Sequence, residues 1–234
     1  MKLSELFQKL SYGELSNLSI SGEGSGIILE AFQPRIVLLI NDALKDIFSR
    51  FNLNERTTAV KSIVWKSFYP LQTEYAVTDP TPGLKYILDS PYNKFTNDLV
   101  KILSVTNEVG AELPMNDSEQ WASVFTPKPD TLQLTHPGND QIFAVTYQAL
   151  HPEILASGEG FLDQEVRVPP ILETALRMKV ALPIFSSMSG QEYSVKSQQL
   201  EAAYENRLAQ IEQKNLISDS VVPTNVKLMR RGFP

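Results

Sequence analysis

Cysteine is missing from this chain altogether, which excludes disulfides and thiolate metal sites. Histidine is nearly missing too. Only His136 and His151 occur, so metal ligation would fall mostly to carboxylates. No apolar run approaches the roughly 20 residues that a membrane-spanning helix requires. The opening MKLSELFQKL has scattered charges and no signal-peptide core, which predicts a product made in, and not exported by a leader from, the cytoplasm. A surplus of positive charge is also lacking. The formal net charge of −6 argues against a protein that coats DNA by neutralising its phosphates. No Gly-Lys-Ser/Thr, no Gly-x-Ser-x-Gly and no calcium-loop pattern is found.

Glycine is sparse, and three of its eleven residues fall together in SGEGSG at 21–26. A phosphate cradle would be followed by Lys and Ser/Thr at a helix start. Here Ile27, Ile28 and Leu29 follow, no strand leads in, and Glu23 would set a negative charge against an anion. The cluster is predicted to be a connecting loop.

What is present is a globular balance: 234 residues with 42% apolar content, enough for one large domain or two small ones. Leu3, Leu6, Phe7 and Leu10 predict a short helix over 2–10. From Pro34 to Phe51, a stripe of Ile36, Ile40, Ala43, Leu44, Ile47 and Phe51 predicts a longer one, with Pro34 suited to its first turn. Between Thr57 and about Leu150 the pattern is that of strands. Residues 99–105 read as one, with Asn107 to Gly110 as its turn. Residues 131–135 and 142–147 both alternate, and His-Pro-Gly-Asn-Asp at 136–140 predicts a hairpin joining them.

Helical spacing returns after Pro169-Pro170. Ile171, Leu172, Ala175, Leu176, Val180, Ile184 and Phe185 form a face wide enough to be covered by more than one neighbour, and Pro183 predicts a kink or a break. After Gly190, Tyr193, Leu200, Tyr204, Leu208 and Ile211 predict a last helix reaching about Leu216, with Glu201, Glu205, Arg207, Glu212 and Lys214 on its wet side. The expected fold class is α+β: a small helical bundle with an inserted antiparallel β region and an extended C-terminal arm. The expected divisions are an N-terminal segment at 1–33, a bundle from 34–55 plus 168–217, a β-rich insertion at 56–167, and a docking arm at 218–234.

Both histidines precede proline and read as turn residues; no serine or carboxylate pairs with them by motif. No catalytic residue, metal ligand or cofactor is predicted. The arm is another matter. Lys227, Arg230 and Arg231 against Asp219 make it basic, while Val221, Val222, Val226, Leu228, Met229 and Phe233 make it too apolar for a solvating terminus. Val221, Val226, Leu228, Met229, Arg230, Arg231 and Phe233 are therefore the predicted partner-binding residues, docking as an added strand or in a groove.

In its order of parts the chain resembles the head–tail adaptor (connector, or neck) proteins of short-tailed bacteriophages. The resemblance runs through ELSNLSI with its glycines (14–26), PRIVLLINDALKDIFSRFNL (34–53) and LVKILSVTNEVGAELPMND (99–117). It continues through SVFTPKPDTLQLTHP with IFAVTYQALHPEI (123–137 and 142–154), which looks like the family's hairpin, and through 168–212, which is similar to its closing pair of helices. The resemblance implies a structural virion protein, made in the host cytoplasm and placed at the head–tail junction. Copies would form a homo-oligomeric ring, commonly of twelve, beneath the portal protein. Such a ring presents a platform to the tail nozzle and continues the channel through which DNA passes without sequence-specific binding. Family arms often reach the portal. Two other readings are weighed beside it: a tail-tube or nozzle component, against which the helical content speaks, and a hydrolase using His136 or His151.

Overall fold

The computed structural model describes residues 1–22, 25–158 and 160–217. Among the described residues the chain divides into two compact units: Met1–Ile47 together with the described residues of 153–217, and the intervening Phe48–Pro152. The fold class is α+β, with four α-helices and two antiparallel sheets among the described residues.

The first unit is helical. Its elements are α1 (Leu3–Tyr12), most of α2 (Gln33–Arg50), α3 (Glu173–Ser186) and α4 (Gln191–Gln213). The five stripe residues of α2, Ile36, Ile40, Ala43, Leu44 and Ile47, are buried, as are Leu200, Tyr204, Leu208 and Ile211 on α4; Phe51, the sixth expected, falls one residue beyond α2. No residue from Ile171 to Phe185 is exposed, so this stretch of α3 is at least partly covered on every side. Three elements meet at Asp46 of α2, whose Oδ2 accepts the Tyr204 hydroxyl of α4 at 2.6 Å and pairs with Lys179 Nζ of α3 at 3.0 Å. The Lys179 ammonium also lies 4.8 Å from the centre of the Tyr204 ring.

Four expectations are corrected in this unit. The N-terminal segment belongs to the core: Leu3, Leu6 and Leu10 are fully buried, and Leu3 N donates to Gln164 O at 2.9 Å. Residues 153–167, expected in the insertion, also lie in this unit; Ile154 N donates to Asn41 Oδ1 at 3.0 Å and Asn41 Nδ2 returns a bond to Ile154 O. Of the kink or break expected at Pro183, the break does not occur there: α3 runs on to Ser186, because a proline in the last turn forfeits only one ladder bond near a helix end. Arg207 is half-buried rather than wet, with Nη2 3.4 Å from Ile171 O.

The described ends of the glycine cluster, residues 21–22 and 25–26, form turns and bends. Gly22 takes the left-handed conformation at φ +55° and closes the short 3-10 turn Ser19–Ser21. Gly26, at φ +83°, packs so closely on Tyr12 that a Cβ would fall 2.6 Å from the phenol oxygen. The buried Ser11 hydroxyl donates to Ser21 O at 3.0 Å and accepts Gly26 N at 3.1 Å, which fastens both ends of the cluster to α1.

The second unit is built from strands β1 (Glu55–Lys61), β2 (Phe68–Pro70), β3 (Ile87–Leu88), β4 (Leu99–Thr106), β5 (Val124–Lys128), β6 (Thr131–Leu134) and β7 (Ile142–Ala149). One sheet has the order β3-β1-β7-β4 and the other β2-β6-β5, all neighbours being antiparallel. Val60, Tyr69, Leu132, Val145 and Tyr147, from both sheets, share one core. The hairpin expected between 131–135 and 142–147 does not form. Strand β6 pairs with β5 across Pro129-Asp130 and with β2 on its other edge, so neither edge remains for β7. The 136–140 segment crosses between sheets instead, gripped by Ser62. The Ser62 hydroxyl donates to Gly138 O at 2.6 Å, and Ser62 N donates to Gln141 O at 2.7 Å.

The stretch before β4 is held by two polar groups. Arg56 of β1 donates to Asp98, Thr96, Asn93 and Lys94 O, all within 3.0 Å. Asp89 accepts Thr78 N at 2.9 Å, the Thr78 hydroxyl and Phe95 N at 3.1 Å. Burial works to raise the Asp89 carboxyl, but these donors outweigh it and hold the group below its ordinary value. Because the folded value is the depressed one, the stabilisation is present above the unfolded value of about 3.9 and is lost as pH falls through the folded value. Thermal unfolding followed between pH 7 and pH 3 should show the midpoint falling below about pH 4, and Asp89→Asn should lower the midpoint at pH 7 by a few degrees and flatten that acid limb. An unchanged acid limb in the variant would remove Asp89 from the account.

Candidate docking surface

The chain has two tryptophans, and both stand out from the second unit: Trp65 is 72% exposed and Trp121 77%. Tryptophan is ordinarily well covered, so two exposed indoles are informative when the loops beneath them are rigid.

Both loops are built. Between β1 and β2, Tyr69 reaches back under the Trp65 loop, donating to Lys66 O at 2.7 Å and accepting Ile63 N at 2.8 Å. Burial pushes the Tyr69 phenol up, so at neutral pH it keeps the proton that it donates. The Lys66 ammonium lies 5.2–5.9 Å from the ring centres of Tyr69, Tyr75 and Tyr86, which gives the loop a second anchor. Between β4 and β5, Asp117 organises the Trp121 loop: its Oδ1 accepts Glu119 N at 3.0 Å and its Oδ2 accepts Gln120 Nε2 at 2.7 Å. Ser123 N donates to Gln120 O at 3.0 Å, and the Thr135 hydroxyl contacts Trp121 O and Ser123 O at 3.3 and 3.1 Å.

Beside Trp121 opens a groove of about 450 Å³. Its floor is the buried edge of the core, namely Val124, Leu134 and Phe143, and its rim carries Val109, Trp121 and Ile142. Val109 stands at the tip of the turn after β4, where Asn107 Oδ1 accepts Val109 N and Ala111 N and Gly110 adopts φ +77°. Glu108 lines the groove and its Oε1 accepts Ile142 N at 2.8 Å. Residues 107–122 contain four carboxylates, Glu108, Glu112, Asp117 and Glu119, and no lysine or arginine. Glu108 is the one charged residue lining the groove, and the stretch that supplies this part of the lining, 107–122, is acidic as a whole.

The two histidines fall in separate surroundings. His136 lies in this groove with its ring edge-on to Trp121 at 5.6 Å and Nδ1 3.2 Å from Thr135 Oγ1. His151 follows β7, packed edge-on to Phe48 at 5.3 Å with Nδ1 2.6 Å from Pro152 O. Among the described residues no group of three or more His, Asp or Glu is arranged to hold a metal ion, and no helix is long and apolar enough to cross a membrane. The predicted partner-binding residues Val221, Val226, Leu228, Met229, Arg230, Arg231 and Phe233 lie outside the described residues. Sequence reasoning missed Trp121, although its setting in NDSEQW, a polar turn with an aspartate ahead of it, marks it as a side chain carried outward. No family model and no curated protein matches the chain.

Proposed function

We propose that this protein is a structural virion component: a ring-forming head–tail adaptor that connects the portal to the tail nozzle and continues the DNA channel. The observation that carries the reading is the pair of outward tryptophans on pinned loops. Aromatic side chains held out on rigid supports give a surface large contact area with little entropy left to lose, which suits a protein that works by fitting neighbours. The helix–strands–helices order and the residues that resemble the adaptor family supply the kind of neighbour. A closed ring uses two different faces of each subunit, so exposed apolar surface at more than one place is what its geometry demands. The net-negative chain also suits a conduit for a polyanion, since like charge keeps a passing duplex from adhering.

Mixing the purified protein with portal assemblies and imaging the product by electron microscopy tests the reading. Stacked rings of fixed stoichiometry are the expected outcome. Absence of association at every concentration, or virions without density for the protein at the junction of capsid and tail, would overturn it.

A further inference from the structure

We propose that the groove beside Trp121 is the receptor for the C-terminal segment Ser218–Pro234 of a second copy of this chain, an inference that rests on the ring-forming reading. Three observations select this occupant. The first is charge. Glu108 lines the groove, and the 107–122 stretch that supplies six of its lining residues holds three further carboxylates, Glu112, Asp117 and Glu119, and no basic residue, whereas the segment carries Lys227, Arg230 and Arg231 against a single acid, Asp219. Opposite patches of this kind steer encounter and fix register. The second is apolar content. The groove floor of Val124, Leu134 and Phe143, with Trp121 as a wall, wants aliphatic and aromatic side chains, and the segment offers valines, Leu228, Met229 and Phe233 at intervals of a few residues. The third is length. Seventeen residues follow Ile217, and fully extended they span up to about 56 Å, a reach longer than any helix of the chain.

A second copy is chosen over the same chain because ring closure needs a donor and an unlike acceptor on every subunit. The segment and the groove are such a pair. The contact is also indifferent to what lies above or below the ring, so it locks neighbours together before or after either partner arrives.

The absence of native cysteine makes the test direct. Full-length chains carrying Ala122→Cys and chains of a different tag length carrying Phe233→Cys are mixed, alone and on portal assemblies, and mildly oxidised. Glu201→Cys, on the exposed side of α4, replaces Ala122→Cys as the control. The expected result is a mixed disulfide between 122 and 233 at least tenfold more abundant than between 201 and 233. Adding Glu112→Lys and Glu119→Lys to the acceptor should cut its yield by about the same factor. Equal yields at the two acceptor sites in a mass-verified ring overturn the inference and leave the ring reading standing. Closure within one chain of a doubly substituted protein also overturns it, making the occupant the chain's own segment. A preferred 122–233 link in rings that ignore the portal upholds the inference while the head–tail reading falls. Chains that stay monomeric in both settings overturn both.

Discussion

If the chain is the ring-forming adaptor proposed above, deleting residues 219–234 is expected to abolish ring formation and, with it, portal docking, while the truncated chain keeps its fold. The expectation follows from where the described core ends. Helix α4 buries its last large side chain, Ile211, and closes at Gln213, with Leu216 N donating to Ile211 O at 3.2 Å. Six residues of the segment are aliphatic, methionine or phenylalanine and three are basic, a composition that gains by docking and loses by solvation. In a ring the same contact is repeated at every subunit boundary, so losing it compounds around the circle. The expected drop in apparent portal affinity is more than about 100-fold, equivalent to about 2.8 kcal/mol. Analytical ultracentrifugation and portal pull-down of the truncated chain, with circular dichroism as the folding check, measure it. A truncation that unfolds or aggregates would place the segment in the core; one that still forms rings would relieve it of any assembly role.

Leu176→Asp unfolds the helical unit at a temperature where the strand unit persists. Leu176 is fully buried on the helix that has no exposed residue between 171 and 185. The substitution removes a core leucine, which alone costs about 2–5 kcal/mol, and introduces a carboxyl that either stays charged without a partner or takes up a proton at further cost. A total above about 4 kcal/mol is a large part of a domain's usual 5–15 kcal/mol. Both tryptophans lie in the other unit, so indole emission follows Phe48–Pro152 while the far-ultraviolet helix signal follows mainly α1, α3 and α4. Two separated transitions are expected in the variant. A melt like that of the natural sequence would show that this face is not core.

The helices were legible because their evidence is local. Ile36, Ile40, Leu44 and Ile47 mark one face by spacing alone, and each proves buried. Strand pairing is not local. The alternation of 131–135 and 142–147 identified both strands correctly, yet neighbours in sequence found partners elsewhere, because β2 and β5 occupy both edges of β6. Strands β2 and β3 are three and two residues long, too short for any period to register. Unit boundaries slipped for a similar reason. Residues 153–167 have no periodicity, and their place is set by single contacts such as Asn41 with Ile154 and Leu3 with Gln164. The groove could not be anticipated from spacing because its walls come from several separate turns and strands.

The two ends of the strand unit are tied together. Gln148 Nε2 donates to the carbonyl oxygens of Phe48 and Phe51, and Glu55 is opposite Gln148 in the β1–β7 ladder. A stretch whose entry and exit meet can be gained, dropped or traded in one recombination event, as a cassette, without reopening the rest of the polypeptide.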